Sequence, residues 1–155
     1  MIVWIVRHGY AGSKADWWGD DAARPLDDAG RIQAEGLVPL FADVELTHLV
    51  SSPTTRCIET LLPLSAAVGL PIEPSDDLKH EATPVHVLDL IERSGAGSVL
   101  CTHGEVMEPL LDALGTWGIT VPLHQEDRLL RKGAVWRLDL DERTLDLAAA
   151  PSIVE

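Results

Sequence analysis

One stretch near the start of the chain, residues 2–9, limits the possible folds most strongly; it reads Ile-Val-Trp-Ile-Val-Arg-His-Gly. An unbroken apolar run rich in β-branched residues is typical of a strand buried on both faces of a parallel sheet. The run ends at Arg7 and His8, and ligands of open α/β sheets bind beyond the carboxyl ends of the strands. We therefore expect Arg7 and His8 at the mouth of a site, where Gly9 allows a sharp turn or a close approach to a ligand.

The rest of the chain alternates further apolar segments with stretches of helical periodicity. The predicted strands cover residues 46–51, 72–74, 98–102, 135–140 and 144–148, and the predicted helices cover 28–41, 53–68, 84–94 and 106–114. Ser52 is expected to cap the second helix, with Pro53 in its first position. This alternation predicts an α/β protein, a three-layer α/β/α sandwich with a mainly parallel sheet and an antiparallel edge strand.

Length and composition favour a globular protein. The 155 residues are enough for a proper core, and we predict a single domain over residues 1–155. Hydrophobic residues make up 46% of the chain, which argues against disorder, yet no apolar stretch approaches the ~20 residues that span a bilayer. No basic segment precedes an apolar one, so no signal peptide is expected. Cys57 and Cys101 are therefore predicted to be reduced thiols in a cytoplasmic protein.

The net charge is strongly negative. The chain has 12 basic and 25 acidic residues, which gives −13. Such a protein is not expected to bind nucleic acid or anionic membranes. Against that background, a local cluster of basic side chains indicates an anionic ligand.

Basic and imidazole side chains lie at the ends of two predicted strands and at the start of a predicted helix. The fourth strand ends at His103 and Gly104, as the first ends at His8 and Gly9, so the two histidines can converge on one point. Arg56 falls in the first turn of the second helix, where the helix dipole disfavours a cation and attracts an anion. We expect these side chains and Arg7 to form a cationic pocket, for which phosphate is the natural guest because its oxygens match arginine forks.

Several other chemistries are excluded by their missing motifs. Neither cysteine is followed six residues later by the arginine that a cysteine phosphatase needs. His80 and the residue after it do not continue into a His-Glu-x-x-His zinc site, and no other metal-ligand cluster is visible. No Walker A loop, Gly-x-Gly-x-x-Gly or Gly-x-Ser-x-Gly motif occurs. Covalent catalysis by histidine without a metal or cofactor remains.

Three motifs in chain order carry a family resemblance: Arg-His-Gly at 7–9, Ser-Ser-Pro-x-x-Arg at 51–56 and His-Gly at 103–104. With them the chain resembles the histidine phosphatase superfamily, which has the phosphoglycerate-mutase-like fold. It is most similar to the phosphatase half of actinobacterial two-domain Nudix–histidine-phosphatase proteins, and it is similar in length to SixA-like phosphohistidine phosphatases. That closer likeness rests on residues 7–14, 19–27, 101–104 and 131–136. The chain has no Nudix box, so Nudix activity is not implied.

The resemblance implies a role for each matching residue. His8 corresponds to the nucleophile, and Arg7, Arg56 and His103 correspond to the groups that hold the phosphoryl oxygens. Glu81 lies where many members place the proton donor, with His80 as a less favoured substitute. The expected substrate contacts are Ser13, Lys14 and Lys132, together with Gly9 and Gly104. For Glu81, Ser13, Lys14 and Lys132 the alternative is a solvated surface residue without a role.

The favoured function is a metal-independent phosphatase that works through a phosphohistidine on His8. A phosphoglycerate-mutase-type transferase and a phosphate-binding regulatory module without turnover are the alternatives. A mutase usually needs lid insertions, for which the chain has little length beyond the core fold. Nucleotides, phosphoproteins and small phosphate esters all remain candidate substrates.

Residues 10–26 form a long predicted connection, and loops of this length are often functional. The loop contains Trp17 and Trp18, which could form a lid, stack on a base or serve ordinary packing.

Overall fold

The computed structural model describes residues 1–149. The strands are β1 Ile2–Arg7, β2 His48–Ser51, β3 Ile72–Pro74, β4 Ser98–Thr102, β5 Val135–Asp139 and β6 Thr144–Ala149. The helices are α1 Asp28–Leu40, α2 Thr55–Val68, α3 Pro84–Ser94, α4 Gly104–Thr116 and the short α5 Glu126–Leu129. Every predicted strand and helix is present, with ends that differ by a few residues.

The strands form one sheet in the order β3-β2-β4-β1-β5-β6. Strands β3, β2, β4 and β1 are parallel to one another. Strand β5 runs antiparallel to β1, and β6 runs antiparallel to β5. The predicted fold class is confirmed, although the antiparallel edge has two strands rather than one.

Helices cover both faces of the sheet. One core cluster joins α3 and α4 to the sheet residues Val3 and Ile5, and the other joins α1 and α2 to Trp4 and Val6. Alternate residues of β1 therefore point into opposite layers, and all four of those side chains are buried. This explains why β1 is an unbroken apolar run. None of the helices within residues 1–149 is long and apolar enough to cross a membrane.

The start of α2 differs from the sequence prediction. The helix begins at Thr55, and Ser52 does not cap it. The backbone of Ser52 still follows the sheet, since its N–H donates to the Cys101 carbonyl at 3.0 Å. The Ser52 hydroxyl lies 2.9 Å from Nε2 of His103 instead. Arg56 nevertheless lies in the first turn of α2, as predicted.

Candidate active site

The carboxyl ends of β1 and β4 bring two histidines together. The strands are adjacent, with Arg7 in register with Thr102, so His8 and His103 each follow the end of their strand by one residue. The backbone N–H of His8 donates to the Thr102 carbonyl at 3.1 Å. The two imidazole rings meet edge to face with centroids 5.4 Å apart.

The His8 imidazole is fixed and unprotonated. Its side chain is buried, and Nδ1 lies 2.8 Å from the Gly9 carbonyl. Because a carbonyl only accepts, Nδ1 carries the hydrogen and Nε2 keeps a free lone pair. Burial lowers the pKa of His8 to about 3, and the charges of Arg56 and Arg7 lower it further against the opposing effect of the Gly9 hydrogen bond. At neutral pH this side chain can act as a nucleophile.

Arg7 reaches across the start of α4. Its Nη1 donates to the Leu130 carbonyl. A Cβ on Gly104 would lie 2.8 Å from Cζ of Arg7, closer than real contacts allow. Gly104, predicted to contact substrate, thus makes room for the guanidinium. Gly9 has a comparable packing role, because a Cβ there would lie 2.8 Å from Oε1 of Gln33.

Arg56 ties the long loop to the site. The guanidinium is buried and donates through Nη1 to the Asp21 carbonyl at 2.8 Å and through Nη2 to Asp21 Oδ2 at 3.1 Å. Its Nη2 also lies 2.8 Å from Nε2 of His80, which accepts because arginine only donates. Burial raises the pKa of Asp21, but the hydrogen bond from Arg24 and the charge of Arg56 together outweigh it, so the pKa lies below its usual value.

His103 lies beneath the other groups. It has no exposed surface, and Nε2 lies 3.7 Å from the Cys57 thiol as well as against Ser52. The ring of His80 stacks on it with centroids 3.6 Å apart. Burial lowers the pKa of His103 to about 2, and the neighbouring His80 adds to that effect.

Three buried nitrogen atoms of the site have no hydrogen-bond partner: Arg7 Nε, Arg56 Nε and His103 Nδ1. Among residues 1–149 these are the only such buried side-chain atoms. Buried polar groups in folded proteins are almost always paired. Arg7 Nε and Arg56 Nε are donors, and His103 Nδ1 is a third donor when Nε2 accepts from the Ser52 hydroxyl, so the cluster suits an anion with several acceptor oxygens.

An open cleft of about 490 Å³ gives access to this cluster. Its lining residues, which define the cleft below, are Arg7, His8, Gly12, Ser13, Lys14, Arg24, Arg56, His80, Glu105 and Lys132. Five of the chain's 12 basic residues are among them, with one acidic residue. The cleft is therefore cationic in a protein of charge −13.

The predicted peripheral contacts also reach the cleft. Ser13 and Lys14 are exposed at its edge, where Ser13 caps a short 3-10 turn by accepting from the N–H of Ala15 at 3.2 Å. Lys132 lies with Nζ 5.2 Å from the centre of the Tyr10 ring. Burial, together with the neighbouring charge of Arg7, lowers the pKa of Lys132.

Glu81 does not join the other predicted residues. Its side chain is exposed and is not part of the cleft lining. The flanking residues Leu78 and Ala82 are buried, and Ala82 N–H donates to the Lys79 carbonyl at 2.9 Å, which fixes the turn. This turn brings His80 to the cleft and leaves Glu81 in solvent.

Three residues that line the cleft were not predicted from the sequence: Gly12, Arg24 and Glu105. Glu105 lies in the first turn of α4, directly after His103 and Gly104, and its position in the sequence could have indicated it. Arg24 donates to the Ala11 carbonyl at 2.6 Å and lies in residues 19–27, one of the stretches on which the closer family likeness rests.

One group of possible metal ligands lies at the site. Ligand atoms of His80, His103 and Glu105 are within 4.8 Å of one another. Imidazole binds a metal through an in-plane lone pair, and the stacked rings of His80 and His103, 25° apart, do not direct theirs at a common point. Nε2 of His103 also faces the Ser52 hydroxyl. This arrangement suits an anion better than a metal ion.

Comparisons with known proteins agree with the geometry. A model of the histidine phosphatase superfamily (branch 1) matches residues 3–82. The 8-oxo-(d)GTP phosphatase of Mycolicibacterium smegmatis is 33% identical over 150 residues, which are 92% of this chain and 45% of that protein. The chain thus spans less than half the length of this relative.

Solved structures share the fold. A protein of Agrobacterium tumefaciens named for the phosphohistidine phosphatase SixA is 26% identical, with a TM-score of 0.73 and 94% of each chain covered. YhfR of Bacillus stearothermophilus is 18% identical, with a TM-score of 0.70, 99% of this chain and 98% of that chain covered.

A neutral, buried histidine among basic side chains at the ends of parallel strands is the arrangement that the sequence predicted for the histidine phosphatase superfamily. The chain belongs to the histidine phosphatase superfamily, branch 1. The predicted family and activity class are thereby confirmed.

Proposed function

We propose that this protein hydrolyses small phosphorylated compounds, nucleotides foremost, by covalent catalysis at His8. One observation carries the proposal: the free Nε2 of His8 lies within a cluster whose two arginines and second histidine each hold a buried nitrogen atom without a hydrogen-bond partner. A dianionic phosphate would meet both a nucleophile and preorganised positive charge there.

The reaction has two steps. In the first, Nε2 of His8 attacks phosphorus, a P–N bond forms, and the P–O bond to the leaving group breaks as that oxygen takes a proton. In the second, water attacks the phosphohistidine, the P–N bond breaks, and the group that gave the proton takes one from the water. Inorganic phosphate then leaves, and His8 returns to its neutral form.

The roles of Arg7, Arg56 and His103 follow from charge. Negative charge spreads over the phosphoryl oxygens as the leaving bond breaks, and arginine forks hold such oxygens in fixed positions. The neutral imidazole of His103 donates to these oxygens through Nδ1 when its Nε2 accepts from the Ser52 hydroxyl. Because these groups are already held by the protein, they need little rearrangement when the charge develops.

Glu105 is the acid that we assign as the proton donor, in place of Glu81. Glu105 lines the cleft, 3.8 Å from Nε2 of His80, whereas the carboxylate of Glu81 is in solvent away from it. A general acid has to reach the leaving oxygen directly or through one water.

Nucleotides are the favoured substrate class for two reasons. The relative from Mycolicibacterium smegmatis is named for a nucleoside triphosphate. The cleft also extends beyond His8. Lys14, Arg24 and Lys132 line that further part and make it positively charged. These cations suit the further phosphates of a nucleoside polyphosphate.

A phosphohistidine protein is the second candidate substrate. The SixA-named protein covers this chain almost end to end, and the cleft is open enough to admit a side chain. Phosphoramidate bonds break without a strong proton donor, so the exposed position of Glu105 would not hinder that reaction.

The test combines turnover with trapping of the intermediate. The enzyme is incubated with labelled GTP and quenched without acid, and the label is expected on His8, stable in alkali and lost in acid. His8→Ala should trap none and lose most turnover. His48→Ala is the matched control, because His48 pairs with Glu73 outside the cleft. Label on Cys57 or Cys101 would overturn the proposal.

A further inference from the structure

A second cavity of about 270 Å³, here called the side pocket, adjoins the cleft. Its apolar wall consists of Ala11, Trp17, Pro25 and Leu26. It shares Gly12, Ser13 and Arg24 with the cleft. A substrate whose phosphate lies at His8 can therefore extend over these shared residues into an apolar recess.

Trp17 forms a fixed wall of the side pocket. Its indole Nε1 donates to the Asp20 carbonyl at 2.8 Å. Trp18, which is 91% exposed, stacks on it with ring centroids 5.5 Å apart and planes 30° apart. Gly19 leaves room for the indole, since a Cβ there would lie 3.2 Å from Nε1. The ring is thus held in place before any ligand binds.

The same loop is anchored to the phosphate-binding groups. Arg24 donates to the carbonyls of Ala11 and Gly12 and to the Asp21 carboxylate. Asp21 is in turn held by Arg56. These bonds fix the separation between the side pocket and the cleft, so that one ligand of suitable length can occupy both.

The polar groups of the side pocket favour a ligand with N–H donors. Both carboxylate oxygens of Asp27 are occupied, by the N–H groups of Gly12 at 3.0 Å and Gly30 at 2.8 Å. Asp16 also lines the pocket, and its exposed carboxylate has no hydrogen bond or ion pair to another residue in the 1–149 range. It is available to accept from the edge of a heterocycle.

We propose that the side pocket binds the nucleobase of the leaving group. The planar base packs against the Trp17 indole while the carboxylate of Asp16 accepts hydrogen bonds from its N–H groups. Aromatic rings contribute base affinity through such contacts, and guanine supplies the donors for the carboxylate because its N1–H and exocyclic NH₂ lie on one edge. This inference rests on the proposed phosphatase function and names the part of the substrate that the protein selects.

The test compares substrates that differ by the base alone or by the whole nucleoside. GMP is paired with ribose 5-phosphate, and GTP is paired with inorganic tripolyphosphate. Trp17→Ala should raise KM for the nucleotides about tenfold or more and leave the base-free partners unchanged. Trp17→Phe should recover most of the loss, because it restores an aromatic face. Asp16→Asn should likewise raise KM for the guanine nucleotides and leave KM for the base-free partners unchanged.

Trp117→Ala is the control, because Trp117 is a half-exposed indole at the end of α4 that lines neither cavity. Equal changes for nucleotides and base-free phosphates, or no change for either, would overturn the side-pocket assignment. If the wild type hydrolyses none of these compounds, the proposed function fails by itself. Equilibrium dialysis of GTP and tripolyphosphate with wild type and Trp17→Ala then decides the base site separately, and Trp17-independent GTP binding would refute it.

Discussion

The imidazole of His80 lies flat on one face of the His103 imidazole, with ring centroids 3.6 Å apart. Nε2 of His80 also accepts from Arg56 at 2.8 Å. His80 therefore contacts two of the proposed phosphate-binding groups. It covers one face of the His103 ring, and burial is the main cause of the low pKa of that histidine.

His80→Ala is expected to raise the pKa of His103 from about 2 toward the ordinary histidine range. The substitution exposes the ring to water and removes a neighbouring imidazole, and both changes favour the protonated form. NMR titration of the imidazole resonances measures this pKa. His86→Ala is a suitable control, because His86 lies in the exposed capping box of α3. An unchanged His103 titration would show that His80 does not control its environment.

The proposed proton donor predicts a dependence on the leaving group. Glu105→Gln should slow hydrolysis of alkyl phosphates by about 10²-fold or more and affect p-nitrophenyl phosphate far less, because nitrophenolate leaves without a proton. Glu81→Gln is the matched comparison and should change neither rate by much. If Glu81→Gln shows the selective loss instead, the assignment of Glu105 is wrong, and Glu81 is the proton donor as the sequence predicted.

The sequence predicted the frame of the site better than its interior. The positions of Arg7, His8 and His103 follow from strand periodicity, since parallel strands end at one edge of the sheet. The stacking of His80 and the contact between Ser52 and His103 depend on side chains far apart in the chain, which no local pattern reports. The direction in which a loop side chain points could not be predicted from a local pattern either, because the burial of the neighbouring residues determines it.

Gly104→Ala should impair catalysis without unfolding the protein. Its Cβ would lie 2.8 Å from Cζ of Arg7 and displace the guanidinium. Loss of one preorganised donor typically costs ~10²–10³ in kcat. Gly115→Ala in the same helix is the control, because nothing lies within 4 Å of its Cβ. That change should leave kcat unaltered and stabilise the helix by up to ~1 kcal/mol. Full activity of Gly104→Ala would show that the position of Arg7 does not matter.

Activity should survive chelation. The cleft supplies positive charge through five lysine and arginine side chains, so the phosphoryl oxygens need no metal ion. Turnover of p-nitrophenyl phosphate is measured after dialysis against EDTA and again after addition of Mg²⁺ or Zn²⁺. Loss of activity that either ion restores would contradict the metal-free mechanism and point to His80, His103 and Glu105 as ligands.

Stability should fall on mild acidification because two histidines are buried in the neutral form. The folded-state pKa is about 3 for His8 and about 2 for His103, against an ordinary value of 6.5. Below pH 6.5 the unfolded chain takes up protons that the folded chain refuses, so the free energy of unfolding falls as pH falls toward 3. Each histidine contributes a slope of up to about 1.4 kcal/mol per pH unit.

Denaturant unfolding between pH 7.5 and 5 measures this slope above the range in which most carboxylates titrate. His8→Asn should reduce the fall by about half, since one of the two buried imidazoles is gone. His124→Asn should leave it unaltered, because that imidazole is exposed in the folded chain. Saturating phosphate should counteract the loss, because a bound dianion stabilises the protonated imidazoles and the folded state together. A pH-independent free energy of unfolding over this range would mean that the two rings are solvated.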